Sequence, residues 1–278
     1  PGHYEGRYAK GYSYIDDFET SQGQIDLKNP YAWTLASTPF QDTPSPLFPE
    51  ASLTNDVRYG AHRAQFAWFY IDPILNRSRS SMLPSYIRNN PDYLSNHYSR
   101  EVSMLELYPY KDYNQAQLSY LQTLNLSYYP SERGPYNLNH EDMLPDGTLA
   151  HPERNWGGIM RKVDQSNFEA ANIEYIEFWL MDPFIYNRES AGGGDLYINL
   201  GEISEDILKD GLKFFENGMP LNDDPQATRS TVWGKVPIRQ AAGYAFDNSP
   251  GSREKQDVGL NGLNDEEEAN WPAYITYL

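Results

Sequence analysis

Oxygen-bearing side chains near the C-terminus have the types and spacing of a calcium loop. The stretch from 257 to 268 reads DVGLNGLNDEEE and places Asp257, Asn261, Asp265 and Glu268 at its first, fifth, ninth and twelfth positions. In calcium loops of this length, those positions supply carboxylate and amide oxygens, and a glycine such as Gly262 makes the sharp turn between them. The spacing therefore predicts a structural Ca²⁺ site with these four residues as ligands.

Two departures from the loop pattern leave a second interpretation open. Gly259 stands at the third position, where Asp or Asn normally supplies an oxygen, and Asn264 stands at the eighth, where an apolar residue is usual. The alternative is a glycine-rich turn that leads into the exposed, acidic start of a helix.

A second acidic set is far apart in the sequence. Asp17 and Glu19 fall at the end of the first predicted strand, and Asp247 follows the last one. In many carbohydrate-binding β-sandwiches, acids from these two strands share a structural Ca²⁺, so fold analogy predicts a second metal site here. The alternative is an edge strand that carries solvated acids.

Basic and aromatic residues come together from 154 to 162, which is unusual in an acidic chain. An exposed Trp156 beside Arg154 and Arg161 could stack on a sugar ring or contact a partner protein. The alternative, favoured by how often Trp packs inward, is that Trp156 is buried and the glycines after it form a turn.

Sequence patterns of the common enzyme classes are missing. The five His residues are scattered, there is no Cys, and no HExxH, GxSxG, P-loop or dinucleotide-binding motif occurs. Acidic residues are plentiful enough for a glycosidase, yet no pair of carboxylates is singled out. We therefore expect this chain not to be an enzyme.

The overall charge of the 278 residues limits the class of ligand. A formal net charge of −17 disfavours nucleic acid and anionic membranes, because both require clustered Lys and Arg. Divalent cations and neutral polar ligands fit better. The 23 Tyr and 6 Trp residues favour half-buried strands over a helical bundle.

Hydrophobic periodicity predicts the elements that must position these residues. Helices are predicted at 92–107 and 204–217, and strands at 12–18, 31–37, 65–71, 122–128, 173–181, 195–200, 231–236 and 243–246. We expect a mainly β fold, a jelly-roll β-sandwich of the carbohydrate-binding-module or galactose-binding-like kind, with inserted helices. The alternative is an α+β domain.

The predicted organisation is one soluble domain. Its sandwich strands would come from about 8–38 and 120–250, its helix-containing insert from about 40–120, and its acidic exit segment from 251–278. Because the chain lacks an initiator Met and a signal peptide, we expect it to be a segment of a much longer protein.

Several long runs closely resemble one family. They lie at 6–37, 94–102, 128–138, 155–184, 193–220 and 256–268, and include NIEYIEFWLMDPF and GGDLYINLGEISEDILKDG. They are similar to the SprA/Sov family, the outer-membrane translocon of the type IX secretion system of Bacteroidota, which also serves gliding motility. The runs follow the family in order and are spread along the chain from 6 to 268.

This resemblance implies a structural or interaction role in protein export, with no catalysis. The partners it implies are the rest of the translocon barrel, a barrel partner of the PorV type, plug or periplasmic proteins, and secreted substrates in transit. The segment would lie beside the outer membrane of a Gram-negative bacterium, on its periplasmic or, as we favour, its extracellular side. The alternative function is a glycan-binding module of jelly-roll type.

Overall fold

The computed structural model divides the chain into two compact units. It describes residues 25–76, 81–110, 120–163, 168, 173, 175–187, 193–201, 203–212, 219–220, 226–239, 249–252 and 261–276. The first unit comprises Pro1–Ala32, Tyr70–Leu124 and Arg161–Asp195, and the second comprises Trp33–Phe69, Asn125–Met160 and Leu196–Leu278.

The second unit contains three of the two-stranded antiparallel sheets. Strand β1 (Thr34–Leu35) pairs with β6 (Ile159–Met160), β2 (Ala64–Phe69) pairs with β5 (Asn125–Arg133), and β7 (Thr228–Ser230) pairs with β8 (Lys235–Pro237). Single 3-10 turns at Pro49–Ser52, Val57–Gly60 and Pro152–Arg154 connect them.

The longest ladder joins β2 and β5, and it carries aromatic residues on one face. Phe66 lies opposite Tyr128 and Trp68 opposite Leu126, so these four side chains share one face of the ribbon. The rings of Phe66 and Tyr128 are 6.2 Å apart. The strands predicted at 65–71 and 122–128 are thus found close to their expected positions.

The described residues of the first unit form single turns and one short sheet. Strand β3 (Val102–Ser103) pairs with β4 (Tyr120–Leu121), and 3-10 turns lie at Pro30–Ala32 and Pro73–Asn76. The helical turns are α1 (Ser85–Arg88), α2 (Pro91–Leu94) and α3 (Met104–Leu107). Side-chain oxygens cap two of them: Asn90 accepts from the N–H of Asp92, and Ser103 from the N–H of Leu105.

The last described residues form two helical turns against the β7–β8 hairpin. These are α4 (Asp265–Ala269) and α5 (Pro272–Ile275). The indole N–H of Trp271 donates to the carbonyl of Val232, and the hydroxyl of Tyr274 donates to the carbonyl of Trp233. The turn of the hairpin is therefore held by side chains of the C-terminal helices.

The hydrophobic core of the second unit is aromatic. Its buried residues are Tyr59, Tyr136, Leu208, Trp233 and Val236. The rings of Tyr136 and Trp233 meet edge to face with their centroids 6.0 Å apart, a geometry that aromatic pairs prefer. The backbone of Tyr136 is left-handed, with φ at 61°, so its conformational cost is offset by these contacts.

A buried cation lies beside this core. The side chain of Arg63 is fully buried, and its guanidinium donates to the carbonyls of Pro135 (3.2 Å), Ala36 (3.3 Å) and Ile207 (3.0 Å). Its central carbon lies 5.3 Å from the ring centre of Trp156 and 6.0 Å from that of Tyr136. Burial lowers the pKa of Arg63 to about 10, which still leaves it cationic at neutral pH.

The predicted β-sandwich is wrong. Within the described ranges, the strands form four separate two-stranded sheets, with helical elements of one turn each, and neither a sandwich nor an α+β layer is assembled. Residues 175–181, from the core strand predicted at 173–181, and residues 195–200, predicted as the next strand, form no ladder and are exposed. Apolar composition reports local preference, whereas a ladder also needs a partner strand.

Three further predicted elements are also corrected. The helix expected at 92–107 is broken into α2 and α3 by β3. No helix forms from 203 to 212, where Ser204 was expected to start one. The strand predicted at 231–236 is interrupted by a turn in which the N–H of Thr231 donates to the carbonyl of Gly234. The strands predicted at 12–18 and 243–246 lie outside the described residues.

In the part of the chain that the structure describes, no helix is both long enough and apolar enough to cross a bilayer.

Replacing Arg63 by Lys tests the role of the buried guanidinium. An ammonium keeps the charge but cannot reach three diverging carbonyls, so we expect Arg63→Lys to lower the free energy of unfolding by about 2–4 kcal/mol. Urea unfolding measures this. The matched control is Arg58→Lys, since Arg58 is exposed and its guanidinium pairs with Asp56 at 2.6 Å. Equal stability of the two variants would contradict the role.

Candidate functional site

The backbone of the predicted calcium loop is shaped by β8. The N–H of Lys235 donates to the carbonyl of Asn261 at 2.8 Å. Gly262 has φ at +71°, and a Cβ there would lie 2.2 Å from the carbonyl oxygen of Lys235. Only glycine fits this close approach without a shift. The glycine that suggested a calcium loop is thus required by packing, whether or not an ion binds.

The side chains of the loop bond to one another. Asn261 is buried; its amide N–H donates to Glu268 at 2.6 Å, and its amide oxygen accepts from the N–H of Leu263. Asn264 forms a capping box with Glu267, whose carboxylate also contacts the ammonium of Lys235. The helix start expected in the alternative interpretation is present.

The predicted metal ligands are only partly described. Asn261 and Glu268 are brought together, and Asp265 is exposed at the first residue of α4, whereas Asp257 lies outside the described residues. So do Asp17, Glu19 and Asp247 of the second acidic set. Among the residues that the structure describes, no group of three or more His, Asp or Glu is placed to bind a metal. Calcium binding at either set stays a prediction.

The predicted contact residues Arg154, Trp156 and Arg161 differ in their surroundings. Trp156 is only 7% exposed, packed against Arg63 and 6.1 Å from the ring of Phe48, so its face cannot stack on a sugar. Arg154 is exposed at the end of a 3-10 turn. Arg161 belongs to the first unit, where its guanidinium donates to the carbonyl of Asp26 at 2.5 Å.

Sequence reasoning missed an ion pair beside Trp156. The Nδ1 atom of His62 lies 2.5 Å from a carboxylate oxygen of the buried Glu50. This hydrogen bond is the main cause that raises the pKa of His62 above its ordinary value. Glu50 is placed by the 3-10 turn Pro49–Ser52 and His62 by the residues before β2. No local pattern links them, so only the tertiary structure could reveal the pair.

Two exposed apolar segments are the most unusual surfaces of the described chain. We call residues 175–181 (YIEFWLM) the first apolar segment and 196–200 (LYINL) the second. In the first, Trp179 is 64% exposed and Leu180 67%. Every residue of the second is exposed as well. Single exposed apolar residues are common, whereas contiguous runs usually mark interaction surfaces.

An aromatic anchor holds the residues that follow the first apolar segment. The hydroxyl of Tyr98 donates to the carbonyl of Pro183 at 2.9 Å, and the hydroxyl of Tyr186 accepts from the N–H of His97 at 2.7 Å. The rings of Tyr98 and Tyr186 meet edge to face, 5.1 Å apart. Asp182 starts the turn by accepting from the N–H of Phe184.

The first apolar segment is therefore the best candidate functional site. Its two faces both carry apolar residues, the pattern of a strand covered on both sides. Its end is fixed by the anchor of Tyr98 and Tyr186, and yet its side chains remain in solvent. Such a surface supports binding of another polypeptide segment.

Calcium removal tests the predicted loop. If Asp257, Asn261, Asp265 and Glu268 hold Ca²⁺, the melting midpoint should rise by several degrees in Ca²⁺ relative to EGTA, because an ion bound only by the folded state stabilises it. Calorimetry of the chain measures the shift, and Asp257→Asn should abolish it. Identical midpoints in Ca²⁺ and EGTA would rule the ion out.

The His62–Glu50 pair predicts a pH-dependent stability. A His with a raised folded pKa stabilises the fold fully below its unfolded pKa of about 6.5, and loses this effect as pH rises through the folded value. We expect the stability difference between the native chain and His62→Gln to shrink from about pH 5.5 to about pH 8. Urea unfolding across that range measures it. Glu50→Gln should behave similarly, and a constant difference would refute the coupling.

Comparison with known proteins identifies no relative, since no family model and no curated protein matches the chain.

Proposed function

We propose that this chain is a structural and interaction segment of an outer-membrane translocon of the SprA/Sov kind, with a role in type IX protein export and gliding motility. The observation that carries the proposal is the exposure of the first apolar segment, whose composition is that of a strand covered on both faces. The apolar side chains of such a segment become buried when a partner packs against them.

The sequence runs described above support the same role. The first apolar segment lies inside the run 155–184 and the second inside the run 193–220, so both exposed surfaces fall in stretches similar to that family. The role is non-catalytic. The partners in this proposal are the rest of the translocon barrel, a PorV-type barrel partner, plug or periplasmic proteins, and secreted substrates in transit.

The proposed location is beside the outer membrane, with the chain on its extracellular or its periplasmic side. A glycan-binding module is less well supported, because the ring of Trp156 is covered by Arg63 and Phe48. Structural calcium remains part of the proposal, at the loop that includes Asn261 and Glu268.

Site-specific photocrosslinking tests the role. A photoreactive phenylalanine analogue in place of Trp179, within the full-length protein in cells, should form adducts with other parts of the translocon or its partners. The matched control is the same analogue in place of Tyr110, which belongs to the same unit and is 99% exposed. Because exposure alone would favour Tyr110, adducts specific to position 179 indicate a docked segment.

The opposite outcome is equally clear. Adducts of equal yield at both positions, or none at position 179, would show that the first apolar segment stays in solvent in the assembled protein. The proposed interaction role would then lack a binding surface.

A further inference from the structure

The charged residues within and directly after the first apolar segment, from 175 to 187, are of one sign. From 175 to 187 the only charged residues are Glu177 and Asp182, and both are exposed. No Lys or Arg occurs in that stretch. A partner strand that docks here therefore approaches two carboxylates. No cation within 175–187 neutralises them.

The second apolar segment repeats this arrangement in the other unit. From 193 to 206 the chain carries Asp195, Glu202, Glu205 and Asp206 and no Lys or Arg. Two separate exposed apolar segments thus share the same flanking charge. This agreement points to partners with a common chemistry.

Like-charge repulsion decides among the occupants of the first apolar segment. A second copy of the chain would bring the same carboxylates against themselves, in a molecule whose net charge is −17. An anionic bilayer would be repelled for the same reason. A partner segment with Lys or Arg beside its apolar residues is attracted instead, and complementary charges also select against wrong partners.

We propose that the first apolar segment binds a strand of another polypeptide segment in which Lys or Arg alternates with apolar residues. The inference rests on the proposed interaction role and adds the chemistry of the partner. The apolar side chains of Phe178, Trp179 and Leu180 supply the buried area, and Glu177 and Asp182 select the cationic strand. The anchor formed by Tyr98 and Tyr186 fixes the end of the segment before the partner arrives, which reduces the entropy lost on binding.

Two designed peptides test the proposal on the whole chain. One alternates Val with Lys and the other Val with Glu, each about ten residues long, the upper end of common strand lengths. Fluorescence anisotropy of the labelled peptides should give at least about tenfold tighter binding of the Lys peptide. Its affinity should fall as salt is raised, because exposed charges are screened.

A pair of charge reversals separates a specific site from general attraction to an acidic protein. Glu177→Lys should abolish the preference for the Lys peptide, whereas Glu132→Lys changes the net charge equally at an exposed position of β5 and should leave it intact. Trp179→Ser should weaken the Lys peptide several-fold without reversing the preference.

Each other outcome overturns the inference. Equal affinity for both peptides, or equal effects of the two reversals, removes the charge selection. Self-association that is lost in Trp179→Ser, measured by sedimentation, would assign the segment to a second copy. Binding to phosphatidylglycerol vesicles that is lost in the same variant would assign it to lipid. If position 179 crosslinks in cells while the peptides are not distinguished, the interaction role stands and only the cationic partner is refuted.

Discussion

The buried guanidinium of Arg63 is the constraint on which the described part of the second unit depends. No carboxylate of the described residues pairs with it, and a buried charge is costly, so its hydrogen bonds to backbone carbonyls must all be kept. Those carbonyls belong to Ala36, Pro135 and Ile207, three segments far apart in the sequence. Displacement of any one leaves donors unpaired in a dry interior. One side chain thus connects the residues next to β1, β2 and β5 with the segment around Ile207.

The same residue explains where Trp156 and Tyr136 lie. The rings of both residues lie near the guanidinium of Arg63. The backbone N–H of Trp156 donates to the carbonyl of His62, the residue before Arg63 in the chain. Trp156 is near Arg154 in the sequence, but the cation that its ring contacts is Arg63. The basic and aromatic cluster at 154–162 is therefore partly a feature of the core. It resembles a ligand site only in the sequence.

Local patterns predicted individual elements better than their assembly. The strand at 65–71 was found because it is a continuous apolar and aromatic run, and the strand at 122–128 because Leu124, Leu126 and Tyr128 alternate with polar residues. The acidic helix start at 265–268 is what the alternative interpretation of the calcium loop predicts. The sandwich was wrong because strand pairing depends on distant partners, which periodicity does not reveal. Glu50 and His62 could not be predicted as a pair for the same reason. Gly262 was recognised as essential, but the contact with Lys235 that requires it is tertiary.

The exposure of the first and second apolar segments also bears on how the protein is made. Exposed segments of strand-like composition can pair with each other on neighbouring copies, and such pairing leads to aggregation. Acidic neighbours such as Glu177 and Asp195 act as gatekeepers against that route, since equal charges on stacked strands repel. The carboxylates would then help to keep newly synthesised chains apart while their aromatic residues are exposed.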